Sequence, residues 1–210
     1  MTPDTCCVHV IDDDASWRRS VERLLAAAGY RVALHESAEA FLATAELDAP
    51  GCILLDMRMP GLTGLQLQQH LLERRQPIPI VFISGHGDIP STVLAMKSGA
   101  ETFLTKPVDA DVLLKTIEQA MLRSREEHDR RGQLDALRSR VDSLTPTERK
   151  VFAMVVRGTL NKRIAVELGT AERTVKWHRQ HIMQKLQAGS LAELVSLAER
   201  LGLVADRDPS

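Results

Sequence analysis

Short apolar, β-branched runs alternate with amphipathic stretches through the first half of the chain. The runs predicted as strands cover residues 7–11, 31–35, 52–55, 80–83 and 102–104. The helical patterns between them begin near Ala15, Ser37, Gly64, Asp88 and Asp109. Such alternation is typical of an α/β domain whose parallel strands are joined by right-handed crossover helices. We therefore predict a doubly wound, five-stranded parallel sheet, with ligands bound beyond the carboxyl ends of its strands.

The second half of the chain shows helical patterns alone. Helices are predicted over 147–157, 161–168, 172–187 and 191–201. The second and third are separated by the tight turn Gly169-Thr170-Ala171. Two helices joined by a glycine turn form a helix-turn-helix, in which the second helix enters the major groove of DNA. The prediction for this half is an all-α domain of four helices.

A long helix is predicted to connect the two halves, because residues 111–141 contain no proline and only one glycine. Leu134, Leu137 and Val141 keep an a/d spacing, which leaves open a short dimer-forming coil or a solvated connector. Thr145 and Glu148 have the spacing of a capping box at the start of the next helix. We expect three segments, with limits 1–121, 122–142 and 143–205.

Charge divides the chain in the same way as the hydrophobic pattern. Residues 1–121 hold 10 Lys/Arg and 16 Asp/Glu, a net charge of −6, whereas residues 145–200 hold 10 and 5, a net of +5. A basic domain suits a polyanionic partner such as nucleic acid. Apolar residues at 44% and short apolar runs favour a cytoplasmic protein without membrane attachment. Cys6, Cys7 and Cys52 lack the spacing of a disulfide framework or zinc site and are expected to be buried thiols.

Charged and polar residues directly follow four of the predicted strands. Asp12, Asp13 and Asp14 follow the first strand and Asp56 the third, while Ser84 and Lys106 follow the fourth and fifth. In a parallel sheet these positions converge at one edge, where closely spaced carboxylates repel each other. A hard divalent cation such as Mg²⁺ relieves that repulsion and also binds phosphoryl oxygens. The pattern indicates a magnesium and phosphate site.

Four motifs in order resemble the receiver domains of two-component response regulators, over about the first 120 residues. They are the segments 10–14 (VIDDD), 55–61 (LDMRMPG), 83–86 (ISGH) and 106–107 (KP). The resemblance implies the flavodoxin-like form of the doubly wound fold. It also implies that the domain accepts a phosphoryl group from a sensor histidine kinase and forms a homodimer when phosphorylated.

The resemblance implies a role for each residue of the acidic edge. Asp56 matches the phosphoacceptor, and Asp13 and Asp56 match ligands of Mg²⁺ or Mn²⁺, with Asp12 holding a metal-bound water. The other matches are Arg58 for a third metal ligand through its backbone carbonyl, Lys106 for the phosphoryl ion pair, and Ser84 and Phe103 for the switch residues.

The third helix of the second half has a polar and cationic face opposite its core stripe. With the segments 144–148, 158–165 and 192–195, residues 173–179 (RTVKWHR) resemble LuxR-type DNA-binding domains. The resemblance implies base contacts from Lys176, Trp177 and Gln180. It implies candidate phosphate contacts from Asn161, Lys162, Arg173, Thr174 and Arg179.

This chain departs from the LuxR pattern where the recognition helix begins. Thr170-Ala171 stands where the family commonly has an aliphatic residue followed by Ser. Alanine cannot cap a helix, so either Thr170 caps from one residue earlier or the helix start loses roughly 1 kcal/mol. The departure affects the local helix entry and not the domain assignment.

The combination of the two domains resembles the FixJ/NarL class of response regulators. The resemblance implies a regulator without enzymatic turnover, which binds double-stranded promoter DNA and works with RNA polymerase. One alternative is a Mg²⁺-dependent phosphohydrolase, but that family has Asp-x-Asp at the nucleophile and Arg58 stands two residues after Asp56 here. A second alternative is an RNA-binding antiterminator, which the lack of aromatic stacking platforms disfavours.

Overall fold

The computed structural model describes residues 6–45, 47–74, 76–85 and 89–203, with the backbone alone at 89–91. The chain divides between Asp129 and Arg130 into two compact units. The predicted helix start near Asp88 and the last residue of the 83–86 motif, His86, lie outside the described residues. Within the described residues, no helix is both long and apolar enough to cross a membrane.

The first unit is built on the five-stranded parallel sheet that the sequence predicts, with strand order β2-β1-β3-β4-β5. The strands are β1 (Cys7–Ile11), β2 (Arg31–His35), β3 (Gly51–Asp56), β4 (Ile80–Ser84) and β5 (Thr102–Thr105). The helices are α1 (Ala15–Ala27), α2 (Ala38–Thr44), α3 (Gly64–Glu73), α4 (Ile89–Lys97) and the start of α5 (Ala110–Asp142). The predicted fold class is confirmed, and β3, β4 and β5 extend one or two residues beyond the predicted strands.

The three central strands β1, β3 and β4 are buried along their whole length. Strands covered on both faces are mainly apolar, which is why these segments are rich in Val, Ile and Leu. Two clusters of buried side chains form the core: one includes Val8, Leu54 and Ile117 of α5, and the other includes Ile11 and Phe82. Sandwiched between helices in this way, the sheet holds its carboxyl edge in fixed register.

Helix α5 belongs to the first unit for longer than its amphipathic pattern indicates. Ser124 is buried, and its hydroxyl accepts a 2.9 Å hydrogen bond from the amide of Gly51 at the start of β3. One residue earlier, Arg123 pairs with Glu101 at 2.5 Å. The hydrogen bond ties the helix to the amino end of the sheet, beyond residue 121 where the sequence places the end of the domain.

The second unit contains the last turns of α5 and four further helices. These are α6 (Pro146–Val156), α7 (Asn161–Glu167), α8 (Glu172–Leu186) and α9 (Leu191–Arg200). Leu137 and Val141 are buried in the core of this unit together with Val151, Phe152 and Ile182. Of the two alternatives left open for these turns, their burial excludes the solvated connector, and the a/d spacing of Leu137 and Val141 reflects packing inside the unit.

Helix ends explain most of the observed element boundaries. Asp14 caps α1, and Thr145 forms the capping box with Glu148, which confirms the prediction for that helix start. At α8 the N-cap is Ala171, and no side chain caps it. Of the two alternatives for this helix start, the structure shows the uncapped one.

Residues expected in the core are mostly there. Cys6, Cys7 and Cys52 are buried free thiols, as predicted. Trp17 falls in helical register with Val21 and Ala28, which predicts a shared core stripe. Trp17 and Val21 pack against the core, but Ala28 is exposed. The stripe ends early because the chain leaves α1 at Ala27.

Candidate functional site

The acidic residues predicted to converge are brought together at the carboxyl edge of the sheet. Asp56 ends β3, and Asp12 and Asp13 follow β1, whose last residue Ile11 pairs with Leu55 of β3. One carboxylate oxygen from each of these three residues lies within 4.8 Å of the others. Asp12 is fully buried and Asp56 is 8% exposed, whereas Asp13 is open to solvent. The cluster is reachable from solvent on the Asp13 side.

Lys106 lies between two of the carboxylates. Its Nζ donates to Asp12 Oδ2 at 2.5 Å and to Asp56 Oδ2 at 3.0 Å. Burial lowers the pKa of Lys106, but the hydrogen bonds to both carboxylates outweigh burial and the pKa is raised. Burial is the largest influence on Asp12 and raises its pKa, although the hydrogen bond from Lys106 opposes it. The ammonium thus remains protonated and neutralises part of the negative charge.

Backbone groups fix the other oxygens of the pocket. The amide of Asp14 donates to Asp12 Oδ1 at 2.8 Å, and the amide of Arg58 donates to Asp56 Oδ1 at 3.2 Å. Arg18 donates to the backbone carbonyl of Asp12 at 2.5 Å. Because both buried carboxylates are held by short loops, they are in position before any ligand arrives.

Ser84 and Phe103 lie on the strands beside the acidic cluster. Ser84 is buried at the end of β4, and its carbonyl accepts the amide hydrogen bond of Lys106 at 2.8 Å. Phe103 on β5 pairs in register with Phe82 and is partly buried against the core. Both residues therefore lie on the two strands that lead from the pocket to α4 and α5.

Trp17 is a pocket residue, although its place in the helical pattern of α1 predicts only a position in the core. Lys106 Nζ lies 4.4 Å from the centroid of the Trp17 ring. Helical periodicity assigned Trp17 to the core face of α1, and its packing confirms that assignment. No local signal joins it to Lys106, which comes much later in the sequence and reaches it only through the sheet.

The donor set fits a hard divalent cation. Mg²⁺ binds oxygen ligands and is commonly held by one or two carboxylates together with water and phosphate oxygens. Asp12, Asp13 and Asp56 provide such oxygens from neighbouring strand ends, with Lys106 as the adjacent fixed cation. A metal, a lysine and a carboxylate nucleophile are sufficient for phosphoryl transfer, which depends on positioning and on charge neutralisation.

In the second unit, helix α8 presents the predicted polar face to solvent. Arg173, Lys176 and Gln180 are exposed, and Thr174 is half-buried. Lys176 makes only a 3.7 Å ion pair with Glu172, one turn earlier. An ion pair this exposed contributes little, so the Lys176 ammonium is available to a polyanion.

The aromatic residue on this face is held by its neighbours. Trp177 is 52% exposed, and its ring centroid lies 3.9 Å from that of His181. His181 Nδ1 also contacts the backbone carbonyl of Trp177 at 3.0 Å. The indole is thus a large exposed ring with a restricted orientation, and such an apolar surface suits contact with a thymine methyl group or sugar.

The candidate phosphate-contacting residues fall into two groups. Lys162 on α7 and Arg173 on α8 are exposed. By contrast, Arg179 donates to Asn161 Oδ1 at 2.9 Å, which joins α8 to the start of α7. The sequence did not indicate this contact, which holds the two helices of the helix-turn-helix together.

Comparisons with known proteins agree with both halves of this description. The family model for the response regulator receiver domain matches residues 8–118, and the model for bacterial regulatory proteins of the luxR family matches residues 142–198. The chain belongs to the response regulator family.

Similar proteins cover nearly the whole chain. Nodulation protein W of Bradyrhizobium diazoefficiens is 43% identical over 95% of this chain and 88% of its own length. Transcriptional regulatory protein FixJ of the same organism is 41% identical over 95% of this chain and 97% of its own. The solved structure of the response regulator StyR has a TM-score of 0.83 at 47% identity, covering 93% of this chain and 99% of that one. This response regulator therefore combines a receiver domain with a LuxR-type DNA-binding domain, as transcriptional regulators of the family do.

Proposed function

We propose that this response regulator is a phosphorylation switch in which Asp56 accepts the phosphoryl group. The observation that carries the proposal is the contact of Lys106 Nζ with both Asp12 and Asp56 at the sheet edge. An Asp56 carboxylate oxygen attacks the phosphorus of a phosphohistidine on a sensor kinase. The P–N bond breaks as the acyl phosphate P–O bond forms, and the departing imidazole takes up a proton.

Each residue of the pocket has a part in this proposal. Asp13 and Asp56, with the backbone carbonyl of Arg58, would hold Mg²⁺ or Mn²⁺, and Asp12 a metal-bound water. The ion, when bound, supplies charge neutralisation for the phosphoryl oxygens. Lys106 pairs with the transferred group. The buried hydroxyl of Ser84 turns toward the group and Phe103 moves inward, which biases a two-state surface over α4, β5 and α5.

The output is proposed to be promoter binding by a homodimer. Lys176, Trp177 and Gln180 on α8 are proposed to read base edges, because they lie on its solvent face. Asn161, Lys162, Arg173, Thr174 and Arg179 are proposed to contact phosphates. Helix α9 is proposed to pair the DNA-binding domains of two copies, which act with RNA polymerase in the cytoplasm.

The segment limits of the proposal follow the sequence. We propose a receiver domain over 1–121, a linker helix over 122–142 and a DNA-binding domain over 143–205. Residues 1–5, 46, 75, 86–88 and 204–205 within these limits lie outside the described part of the chain. The buried positions of Ser124 and Val141 support a linker that is helical throughout and docked at both ends.

Phosphorylation of the full chain tests the proposal. With acetyl phosphate and Mg²⁺ we expect acid-stable, base-labile labelling of the wild type and none of the Asp56→Asn variant. Asp48→Asn is a matched control, because that carboxyl group is outside the acidic cluster. Undiminished labelling of Asp56→Asn would refute the assignment. Sustained multiple turnover of a phosphomonoester would instead favour a phosphohydrolase.

A further inference from the structure

The Lys106 ammonium has a third neighbour besides the two carboxylates. Its Nζ lies over the Trp17 ring, 4.4 Å from the centroid, well inside the distance of about 6 Å that defines a cation–π contact. The Lys106 side chain is 20% exposed, so water competes with the contact only in part. Indole is the most favourable aromatic partner for such a cation.

The backbone of Trp17 is fixed to the loop that carries the acidic residues. Asp14 caps α1 by accepting hydrogen bonds from the amides of Ser16 at 2.8 Å and Trp17 at 3.2 Å. The Trp17 side chain also packs against the core of the first unit. The indole is therefore a rigid surface at a set distance from the pocket, whereas the lysine side chain has four rotatable carbon–carbon bonds.

We propose that Trp17 is a positioning residue for phosphoryl transfer, holding the Lys106 ammonium at the pocket independently of the carboxylates. This inference rests on the proposed roles of Asp56 and Lys106. Both carboxylates that Lys106 contacts have other proposed roles in the reaction. Asp56 is the nucleophile, and Asp12 holds a metal-bound water. The contact with the ring stays available throughout, and it restricts where the ammonium is found when the phosphoryl group arrives.

Two substitutions separate the π face of Trp17 from its packing. Trp17→Leu keeps apolar volume against the core but removes the ring, and Trp17→Phe keeps a smaller ring. With acetyl phosphate at saturating Mg²⁺, we expect the maximal phosphorylation rate of Trp17→Leu to fall roughly 2- to 30-fold, the range that cation–π energies span. Trp17→Phe is expected to fall less. The Mg²⁺ concentration for half-maximal rate should not change, because the carboxylates remain in place.

Leu24→Ala is the matched control for packing. Leu24 lies on α1, packs against the same core and lines the same surface cleft as Trp17 and Lys106. We expect it to leave the phosphorylation rate unchanged. Equal losses in Leu24→Ala and Trp17→Leu, or a wild-type rate in Trp17→Leu, would overturn the inference.

A double-mutant cycle and a spectroscopic measurement complete the test. In a Lys106→Met background, Trp17→Leu should cause no further loss of rate, because the ammonium is already gone. Since Trp17 and Trp177 are the two tryptophans of the chain, a Trp177→Phe background isolates the emission of Trp17. Lys106→Met should then alter that emission in the absence of any phosphodonor.

These measurements distinguish failure of the inference from failure of the proposed function. Additive losses in the cycle, or emission unaffected by Lys106→Met, would overturn the role of Trp17 even where Asp56 is the phosphoacceptor. Labelling of Asp56→Asn would overturn the proposed function instead. The emission measurement needs no phosphorylation and does not depend on the folding of Trp17→Leu.

Discussion

At the residue scale, two histidines are buried in the receiver sheet next to the site. His9 Nδ1 lies 3.2 Å from His35 Nε2, their rings are stacked, and Phe41 meets both edge-on. Burial lowers the pKa of both imidazoles, and that of His9 falls to about 4 because the charges of His35 and Arg31 add to the effect. Both rings are therefore neutral at neutral pH, and protonating either one places a charge in the core.

This pair predicts that the receiver domain loses stability on acidification. Unfolded histidine takes up its proton near pH 6.5, whereas folded His9 does so only near 4, so the unfolded state binds more protons between these values. The free energy of unfolding should have its full value above about pH 6.5 and fall as the pH drops toward 4. The loss due to His9 should be on the order of 3 kcal/mol.

Urea unfolding of the full chain at pH 7.5 and pH 5 measures this loss. His9→Phe should reduce the difference in stability between the two pH values, because it removes one of the two buried imidazoles, the one whose pKa falls to about 4. His128→Gln is the matched control, since His128 on α5 is exposed. A pH dependence that His9→Phe leaves intact would contradict the prediction.

At the element scale, helix ends differ in how well they are capped. Ser190 caps α9 by accepting a hydrogen bond from the amide of Glu193 at 3.1 Å. Helix α8 begins at Glu172 behind Ala171, which has no side-chain acceptor to offer. The first backbone amides of α8 therefore donate no hydrogen bond to an N-cap side chain.

We predict that Ala171→Ser stabilises the DNA-binding domain. A serine at an N-cap with extended backbone supplies the missing acceptor, and Ala171 has that conformation, with φ −80° and ψ 148°. The gain should be about 1 kcal/mol, or roughly 4 to 8 °C in the melting temperature of a domain of this size. Calorimetry checks it, and Ser190→Ala on α9 should cause a loss of similar size. A lower melting temperature for Ala171→Ser would show that the helix start has another partner.

Elements and their order follow from local sequence, and contacts between them do not. The buried strands, Asp14 as a cap and the convergence of Asp12 with Asp56 are all consequences of periodicity and of parallel topology. The cation–π contact joins Trp17 to Lys106, which is distant in sequence. Val141 has an a/d spacing that suits a coiled coil as well as a domain core, and it packs in the core of the second unit. Periodicity identifies an apolar face without stating which core that face enters.

At the scale of the whole molecule, an acidic domain and a basic domain are joined by one helix that enters both cores. Residues 1–121 carry a net charge of −6 and residues 145–200 a net of +5. The exposed positive charges on α8 and α7 are those proposed to meet DNA phosphates. The first domain carries the opposite sign, so a DNA affinity measured for the full chain at one salt concentration combines the charges of both domains.

Binding of DNA through Lys162 on α7 and through Lys176 on α8 should respond differently to salt and to DNA sequence. Lys162, proposed to contact phosphate, neutralises charge on any duplex. Its change to Ala should weaken binding evenly across sequences and make the slope of log K against log salt shallower by about 0.9 for each phosphate that is no longer neutralised. Lys176, proposed to read a base edge, should lose more affinity for a specific promoter than for random duplex when changed to Ala, by about 1 to 3 kcal/mol.

Fluorescence anisotropy titrations of specific and random duplexes between about 50 and about 200 mM salt separate the two effects. Lys150→Ala is the matched control, because Lys150 is an exposed lysine on α6 that is outside the proposed interface. Its slope and its ratio of specific to random affinity should equal those of the wild type. Equal losses for Lys176→Ala on both duplexes would assign that lysine to the phosphate backbone and leave Trp177 and Gln180 to read the sequence.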